Sequence, residues 1–131
     1  MSVDAIGNFL THIRNGLMIS RRSIVAPYSN IKLEIVKILK TEGFIKDFSI
    51  VEHDSVKKDI KVELKYVNGE SVIHEITRES TPGRRVYAKA DQIELVIGKL
   101  GISILTTNQG IMSNKQAQEL SIGGEVICSV W

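Results

Sequence analysis

The pattern that most constrains the fold of this chain is a regular alternation of apolar and charged residues at residues 60–66. A period of two residues is typical of a strand that buries one face. Asn68 and Gly69 follow, and both residue types tolerate positive φ, so they predict a tight hairpin turn. A return strand is expected at residues 71–77. The sequence therefore predicts an antiparallel hairpin with one face buried.

Two amphipathic helices are predicted before this hairpin. The first spans residues 3–17, and the apolar residues that recur there at helical spacing are Ile6, Phe9, Leu10, Ile13 and Leu17. The second begins after Ser29, a favourable N-cap residue, and ends at Gly43, which suits a C-terminal cap. The inward face of the second helix is predicted to comprise Ile31, Ile35, Ile38 and Leu39.

Shorter elements complete the pattern. Further strands are predicted at residues 23–26, 45–51, 85–88, 102–105 and 125–130, and further helices at residues 91–100 and 113–120. Helices and hairpin-linked strands are interspersed without a repeated βαβ rhythm, which favours an α+β fold of two small subdomains packed together. The turn at residues 80–83 marks the boundary, so we expect an N-terminal α+β subdomain at residues 1–77 and a C-terminal one at residues 78–131.

Composition excludes several classes of protein. The chain is 43% hydrophobic and 24% charged, which indicates a globular rather than a disordered protein. The single cysteine, Cys128, allows no internal disulfide, and with no signal peptide a reducing, cytoplasmic compartment is expected. The longest apolar stretches are far shorter than the roughly 20 residues of a membrane helix. No membrane association is expected.

Net charge gives little support for a nucleic-acid partner. The chain has 17 basic and 15 acidic side chains, a formal net charge of +2. Residues 78–89 are more basic, with four cationic side chains against one carboxylate. Such a patch can bind phosphate, but it can equally be a solvated face.

The sequence contains no pattern typical of an enzyme or a metal site. His12, His53 and His74 are scattered without paired spacing, and one cysteine cannot form a thiolate cluster. There is no glycine-rich phosphate-binding loop, and Cys128 lies in an apolar segment, where a thiol is most often inert. We therefore expect no metal, no cofactor and no catalytic residue.

Two loops remain as candidate binding sites. The first is a run of polar and glycine residues that can donate to phosphates, ribose hydroxyls and base edges, namely Thr106, Thr107, Asn108, Gln109 and Gly110. The second is a turn whose arginines could lie against phosphate, and its candidate residues are Ser80, Thr81, Arg84 and Arg85. The alternative readings are an ordinary hairpin loop and a solvated turn. Lys32, in the first turn of the second helix, opposes the helix dipole and hints at an external anion.

Five segments, in order along the chain, carry a resemblance to a known family. They are residues 4–16, 38–45, 80–87, 100–112 and 123–128. On these segments the chain resembles the bacterial small-subunit ribosomal protein S8 family over essentially its whole length.

The resemblance implies a primary binder of small-subunit ribosomal RNA that helps assemble the central domain. It implies that the C-terminal subdomain grips an irregular RNA helix through Thr106, Thr107 and Asn108, with Gly124, Glu125, Tyr87, Arg84 and Ser80 on the same face. Contacts of the N-terminal subdomain would come from Asp4, Thr11, Arg14, Asn15 and Lys32. Ribosomal protein S5 is the implied neighbour, and many members repress their own operon by binding a similar messenger structure.

Four positions depart from the family pattern. The family loop usually reads Ser-Thr-Ser where this chain has Thr106, Thr107 and Asn108, which keeps hydrogen-bonding capacity but changes size and donor pattern. Ser129 stands where a tyrosine is frequent, and Asn30 where a lysine is frequent.

An adaptor that binds a partner protein through its sheet is the alternative function, and a hydrolase is a third that no motif supports.

Overall fold

The computed structural model describes residues 5–89 and 101–131. The helix predicted at residues 91–100 and the predicted contact at Asp4 lie outside this part of the chain. The described elements, in chain order, are α1 (Ala5–Met18), β1 (Ser23–Pro27), α2 (Asn30–Thr41), β2 (Ile45–Glu52), β3 (Lys58–Leu64), β4 (Tyr66–Val67), β5 (Glu70–Ser71), β6 (Ile76–Arg78), β7 (Tyr87–Ala88), β8 (Ile102–Thr107), β9 (Gly110–Ser113), α3 (Asn114–Glu119) and β10 (Gly124–Val130). Helices and antiparallel sheets together confirm the predicted α+β class. The chain divides into two compact units, Asn8–Ile73, and His74–Trp131 with residues 5–7.

The first unit is built on a three-stranded antiparallel sheet in the order β1-β3-β2. β3 confirms the alternation that the sequence predicted, because Ile60, Val62 and Leu64 are buried while the residues between them are partly exposed. α1 packs closely on β1, since a Cβ added at Gly16 would lie 2.7 Å from Cγ2 of Ile24. The absence of a side chain at Gly16 allows this close approach.

Both predicted ends of α2 are confirmed. The hydroxyl of Ser29 accepts from the backbone N–H of Lys32, which satisfies one of the free donors of the first turn. Gly43 has φ +82°, the left-handed conformation that a glycine adopts after a helix.

The predicted inward face of α2 was partly wrong. Ile31 is 44% exposed, and the buried residues are Lys32, Ile35, Val36 and Leu39. This set follows the i, i+3, i+4, i+7 spacing of one helical stripe. Lys32 can occupy it because its ammonium group donates to the Pro27 carbonyl at 3.1 Å and lies 5.8 Å from the centre of the Phe9 ring.

The Asn68-Gly69 turn is confirmed, but the predicted return strand is not. Asn68 and Gly69 have φ of 53° and 80° and join β4 to β5, which pair over two residues each. The chain then leaves this hairpin, because the backbone N–H groups of His74 and Glu75 donate to the Trp131 carbonyl. The next strand, β6, pairs with β10 in the other unit. The predicted strand at residues 71–77 is therefore two separate strands in different sheets.

The second unit contains a five-stranded antiparallel sheet in the order β6-β10-β8-β9, with β7 also paired to β10. β8 is the buried strand that the sequence predicted, with Ile102, Ile104 and Leu105 fully covered. α3 begins as predicted at Ser113, whose hydroxyl accepts from the N–H of Gln116. The strand β10 lies between β6 or β7 on one side and β8 on the other, so its first residues meet both candidate loops.

Candidate functional site

The β8–β9 turn is shorter than the predicted five-residue loop. Thr106 and Thr107 belong to β8, and Thr107 pairs with Gly110, so only Asn108 and Gln109 span the turn. Gly110 has φ +112°, a conformation that side chains rarely adopt. The prediction of a loop over residues 106–110 was wrong because apolar β8 extends its pairing to the edge of the turn. The amides of Asn108 and Gln109 are exposed at its tip.

The hydroxyl of Thr107 holds this turn together. It donates to the Gly110 carbonyl at 2.8 Å and accepts from the Gln109 N–H at 3.1 Å. A hydroxyl has one donor and two acceptor positions. Thr107 therefore retains one acceptor position for a ligand, whereas Asn108 offers its whole amide.

Gly124 lets β10 begin directly beside β8. A Cβ at this position would overlap the Thr106 carbonyl oxygen and lie 3.0 Å from Cγ2 of Thr107. Gly124 also pairs with Ala88 of β7, so backbone crowds it from both sides. The glycine leaves a shallow floor between the β8–β9 turn and Tyr87.

Glu125 connects the β8–β9 hairpin with the second candidate loop. It pairs with Thr106 on one side and Tyr87 on the other. Its Oε2 accepts from the Ser80 hydroxyl at 2.5 Å and from Nη1 of Arg85 at 3.1 Å. The Ser80 hydrogen bond, followed by the Arg85 guanidinium, lowers the pKa of the Glu125 carboxyl below its ordinary value, although partial burial opposes them.

Ser80 is a buried anchor of its loop. Its side chain is fully buried, and its oxygen also accepts from the Val86 N–H at 3.2 Å. Thr81 and Arg84 exchange two backbone hydrogen bonds across the Pro82-Gly83 turn. This frame leaves the side chains of Arg84 and Arg85 exposed.

These parts enclose an open groove of about 350 Å³. It is lined by Tyr87, Thr106, Thr107, Asn108, Ile122, Gly123, Gly124 and Glu125. Six of these eight are among the predicted binding residues, and Tyr87, Gly124 and Glu125 were predicted only through the family resemblance. Tyr87 presents a ring that is 71% exposed. Ile122 and Gly123 were missed. A glycine pair after an apolar residue was the available signal, but it indicated only the start of a strand.

The N-terminal candidates belong to the other unit. Thr11, Arg14 and Asn15 are exposed on α1. Lys32 is only 9% exposed, and its ammonium group already meets the Pro27 carbonyl and the Phe9 ring. The local contacts of Lys32 account for its position at the start of α2 without an external anion.

Metal binding, membrane spanning and thiol reactivity were considered for residues 5–89 and 101–131. No cluster of three or more His, Cys, Asp or Glu side chains there could hold a metal ion. None of the helices in that part is long and apolar enough to span a membrane. Cys128 is buried, which raises the pKa of its thiol to about 12 and keeps it in the unreactive protonated form.

Comparison with known proteins gives one consistent result. A sequence model of the family described as Ribosomal protein S8 matches residues 4–131. The "Small ribosomal subunit protein uS8" of Maricaulis maris is 47% identical over 131 residues, 99% of each chain. Its namesake in Thermodesulfovibrio yellowstonii is 46% identical over 132 residues and the whole of both chains, and that of Allorhizobium ampelinum is 45% identical over 128 residues, 98% of this chain and 97% of its own.

Proposed function

Because the chain belongs to the ribosomal protein S8 family, we propose that it is a primary binder of small-subunit ribosomal RNA. The family assignment makes it a structural, non-enzymatic protein of the small ribosomal subunit, and therefore cytoplasmic. We propose further that this RNA binds in the groove between the β8–β9 turn and Tyr87. By binding there, the protein helps to assemble the central domain of that RNA.

The observation that carries this proposal is the composition of the groove. It combines the exposed ring of Tyr87 on β7, the exposed amide of Asn108 at the β8–β9 turn and the glycine at the start of β10. Unpaired RNA bases can stack on a tyrosine and form hydrogen bonds to an amide. Arg84, in the adjacent turn, is exposed and can approach a flanking phosphate.

Glu125 acts in this proposal by ordering the groove. A carboxylate repels phosphate, but its charge is balanced by Arg85 and its oxygen is held by Ser80. The side chain can accept from an exocyclic amine or a ribose hydroxyl without leaving these partners, since each carboxylate has about four acceptor positions. Recognition of this kind selects base edges and RNA shape over bulk negative charge.

Asn108→Ala is the sharpest test, because Asn108 is exposed whereas the hydroxyl of Thr107 also supports the turn. We expect the variant to lose about 1–3 kcal/mol of binding to a central-domain fragment of small-subunit ribosomal RNA, by analogy with base-edge contacts in DNA. Gln116→Ala is the matched control, since Gln116 is an exposed amide on α3 outside the groove. Titration against a scrambled structured RNA measures the preference. Equal affinity of the Asn108→Ala protein and the wild type for the fragment would remove this residue from the site.

The remaining parts of the proposal concern partners. We propose contacts of Thr11, Arg14 and Asn15 with neighbouring RNA, ribosomal protein S5 as a neighbour, and repression of the protein's own operon through a messenger structure that resembles the ribosomal target. Competition between the ribosomal fragment and the operon messenger for one site on the protein tests the last part. If the purified chain showed no preference for structured ribosomal RNA over competitor, the adaptor function would replace RNA binding.

A further inference from the structure

A second groove lies in the unit Asn8–Ile73, and the proposed function does not use it. It measures about 780 Å³ and is open to solvent at the end of the three-stranded sheet. Among the described residues that line it, the cationic side chains are Arg22, Lys46, Lys61 and Lys65, and Glu63 is the only carboxylate. The whole chain has a net charge of only +2. Positive charge is therefore concentrated here to a degree that composition does not reveal.

The cations of this groove are available to a ligand. None of the salt bridges within residues 5–89 and 101–131 involves Arg22, Lys46 or Lys61. Elsewhere in the same unit, exposed lysines do pair with carboxylates, as Lys40 does with Asp47 at 2.9 Å. Lys65 donates to the Gly43 carbonyl at 3.4 Å, a contact that leaves its charge unneutralised.

Two hydrogen bonds to backbone carbonyls hold the groove together. The N–H of Leu64 donates to the Arg22 carbonyl at 2.9 Å, which ties the start of β1 to the end of β3. The Tyr66 hydroxyl donates to the Arg21 carbonyl at 2.6 Å. Lys46 is the extra residue where the β2–β3 register shifts between Ile45 and Asp47, so a bulge directs it away from the regular strand. Lys46 of β2, Lys61 of β3, and Arg22 and Lys65 beside the ends of β1 and β3 thus surround one groove.

This arrangement favours a phosphodiester backbone as the ligand. Separate cations along an open groove match separate phosphates along a strand, and each neutralised phosphate releases condensed counterions. A folded protein partner would need apolar anchors. The apolar or aromatic residues in the lining are Leu64 and Tyr66; Leu64 is only 4% exposed, and the hydroxyl of Tyr66 is already engaged.

We propose that the groove formed by Arg22, Lys46, Lys61 and Lys65 binds the RNA backbone without regard to sequence. This inference rests on the proposed function in taking RNA as the partner, but it uses none of the residues of the β8–β9 groove. The β8–β9 groove selects the RNA by its bases and shape. The basic groove adds affinity through contacts with phosphate.

The test uses the full chain with Arg22 and Lys61 both replaced by Gln. The matched control replaces Lys37 and Lys57 by Gln, which removes the same charge from the same unit at α2 and at the opposite end of the β2–β3 hairpin. The probe is a mixed-sequence RNA duplex, titrated between about 50 and 200 mM salt. Log affinity falls as log salt rises, and we expect the groove variant to make this slope shallower by about 1–2. The control should leave the slope unchanged.

Two results would overturn the proposal: a salt slope of the groove variant equal to that of the control, or binding of poly-glutamate as tight as that of the duplex. Lys46→Glu, at an exposed bulge, gives a second variant if the double substitution unfolds the unit. Failure of the β8–β9 site can be told apart from failure of the basic groove. Asn108→Ala changes the preference for the ribosomal fragment and leaves the salt slope for the duplex unchanged.

Discussion

Glu125 is the residue at which ionisation and loop structure are most directly linked. Its charged form is stabilised by the Ser80 hydroxyl and the Arg85 guanidinium, so its pKa in the folded protein lies below its ordinary value near 4.5. A carboxyl whose pKa is lowered on folding stabilises the protein above the unfolded-state pKa. That contribution is lost as pH falls through the folded-state pKa.

Glu125→Gln should therefore reduce the free energy of unfolding at neutral pH, and the difference from the wild type should shrink as the pH falls below the ordinary pKa of the carboxyl. The amide keeps an acceptor for Ser80 but removes the charge that faces Arg85. Urea unfolding across this pH range measures the effect. Glu119→Gln, on the exposed surface of α3, is a control for loss of a carboxylate. A difference between the wild type and Glu125→Gln that is independent of pH would mean that the carboxylate charge contributes nothing.

Thr107 has a structural role that its residue type did not predict. Its type suggested a ligand contact, whereas its hydroxyl makes two hydrogen bonds within the turn. We expect Thr107→Ala to lower the free energy of unfolding by about 0.5–1.5 kcal/mol per lost hydrogen bond, and to weaken binding of the ribosomal fragment as well. Thr107→Ser keeps the hydroxyl and should restore both properties. Unfolding and RNA titration of the two variants check this, and equal binding by the Ala and Ser variants would contradict a role for the hydroxyl.

Among the secondary-structure elements, the sequence predicted best those with a local cause. The alternation in β3, the cap at Ser29 and the turn at Asn68 depend on residues close together in the chain, and all three are confirmed. The return strand after Gly69 failed because its hydrogen bonds are non-local: the N–H of His74 is bound by the carbonyl of Trp131, at the far end of the sequence. No pattern within residues 71–77 reveals such a partner.

The pairing of β10 with β8 provides a prediction about packing. Gly124→Ala would force a methyl group onto the Thr106 carbonyl, so the two strands must separate locally. We expect a loss of about 1–3 kcal/mol in the free energy of unfolding, typical of overpacking. Gly83→Ala is the matched control, because a Cβ there meets nothing within 4 Å. Chemical denaturation distinguishes the two, and equal stability of both variants would show that β10 accommodates the methyl group.

For the whole molecule, charge was the least informative property of the sequence. The net charge of +2 concealed two local arrangements: a small groove with a compensated carboxylate, and a larger groove whose Arg22, Lys46 and Lys61 form no salt bridge within the described residues. Tyr87, Thr106, Asn108 and Glu125 could be placed together through family resemblance. Ile122 and the basic groove could not, because their neighbours come from different strands and only folding assembles them.

This division predicts that affinity for RNA separates into two independent parts. Arg84 is exposed and its side chain makes no salt bridge within the described residues, so Arg84→Ala should lower the salt slope for the ribosomal fragment by about 1 and leave the preference over scrambled RNA nearly unchanged. Asn108→Ala should do the reverse, lowering the preference at every salt concentration. Since the two side chains share no hydrogen-bond partner in this part of the chain, the double variant should show the sum of both effects in free energy.

Titrations of the four proteins across a salt series provide the measurement, with Lys57→Ala as the control for loss of one charge. Strong non-additivity would mean that phosphate and base contacts form as one unit, and that the groove and its neighbouring turn recognise RNA together.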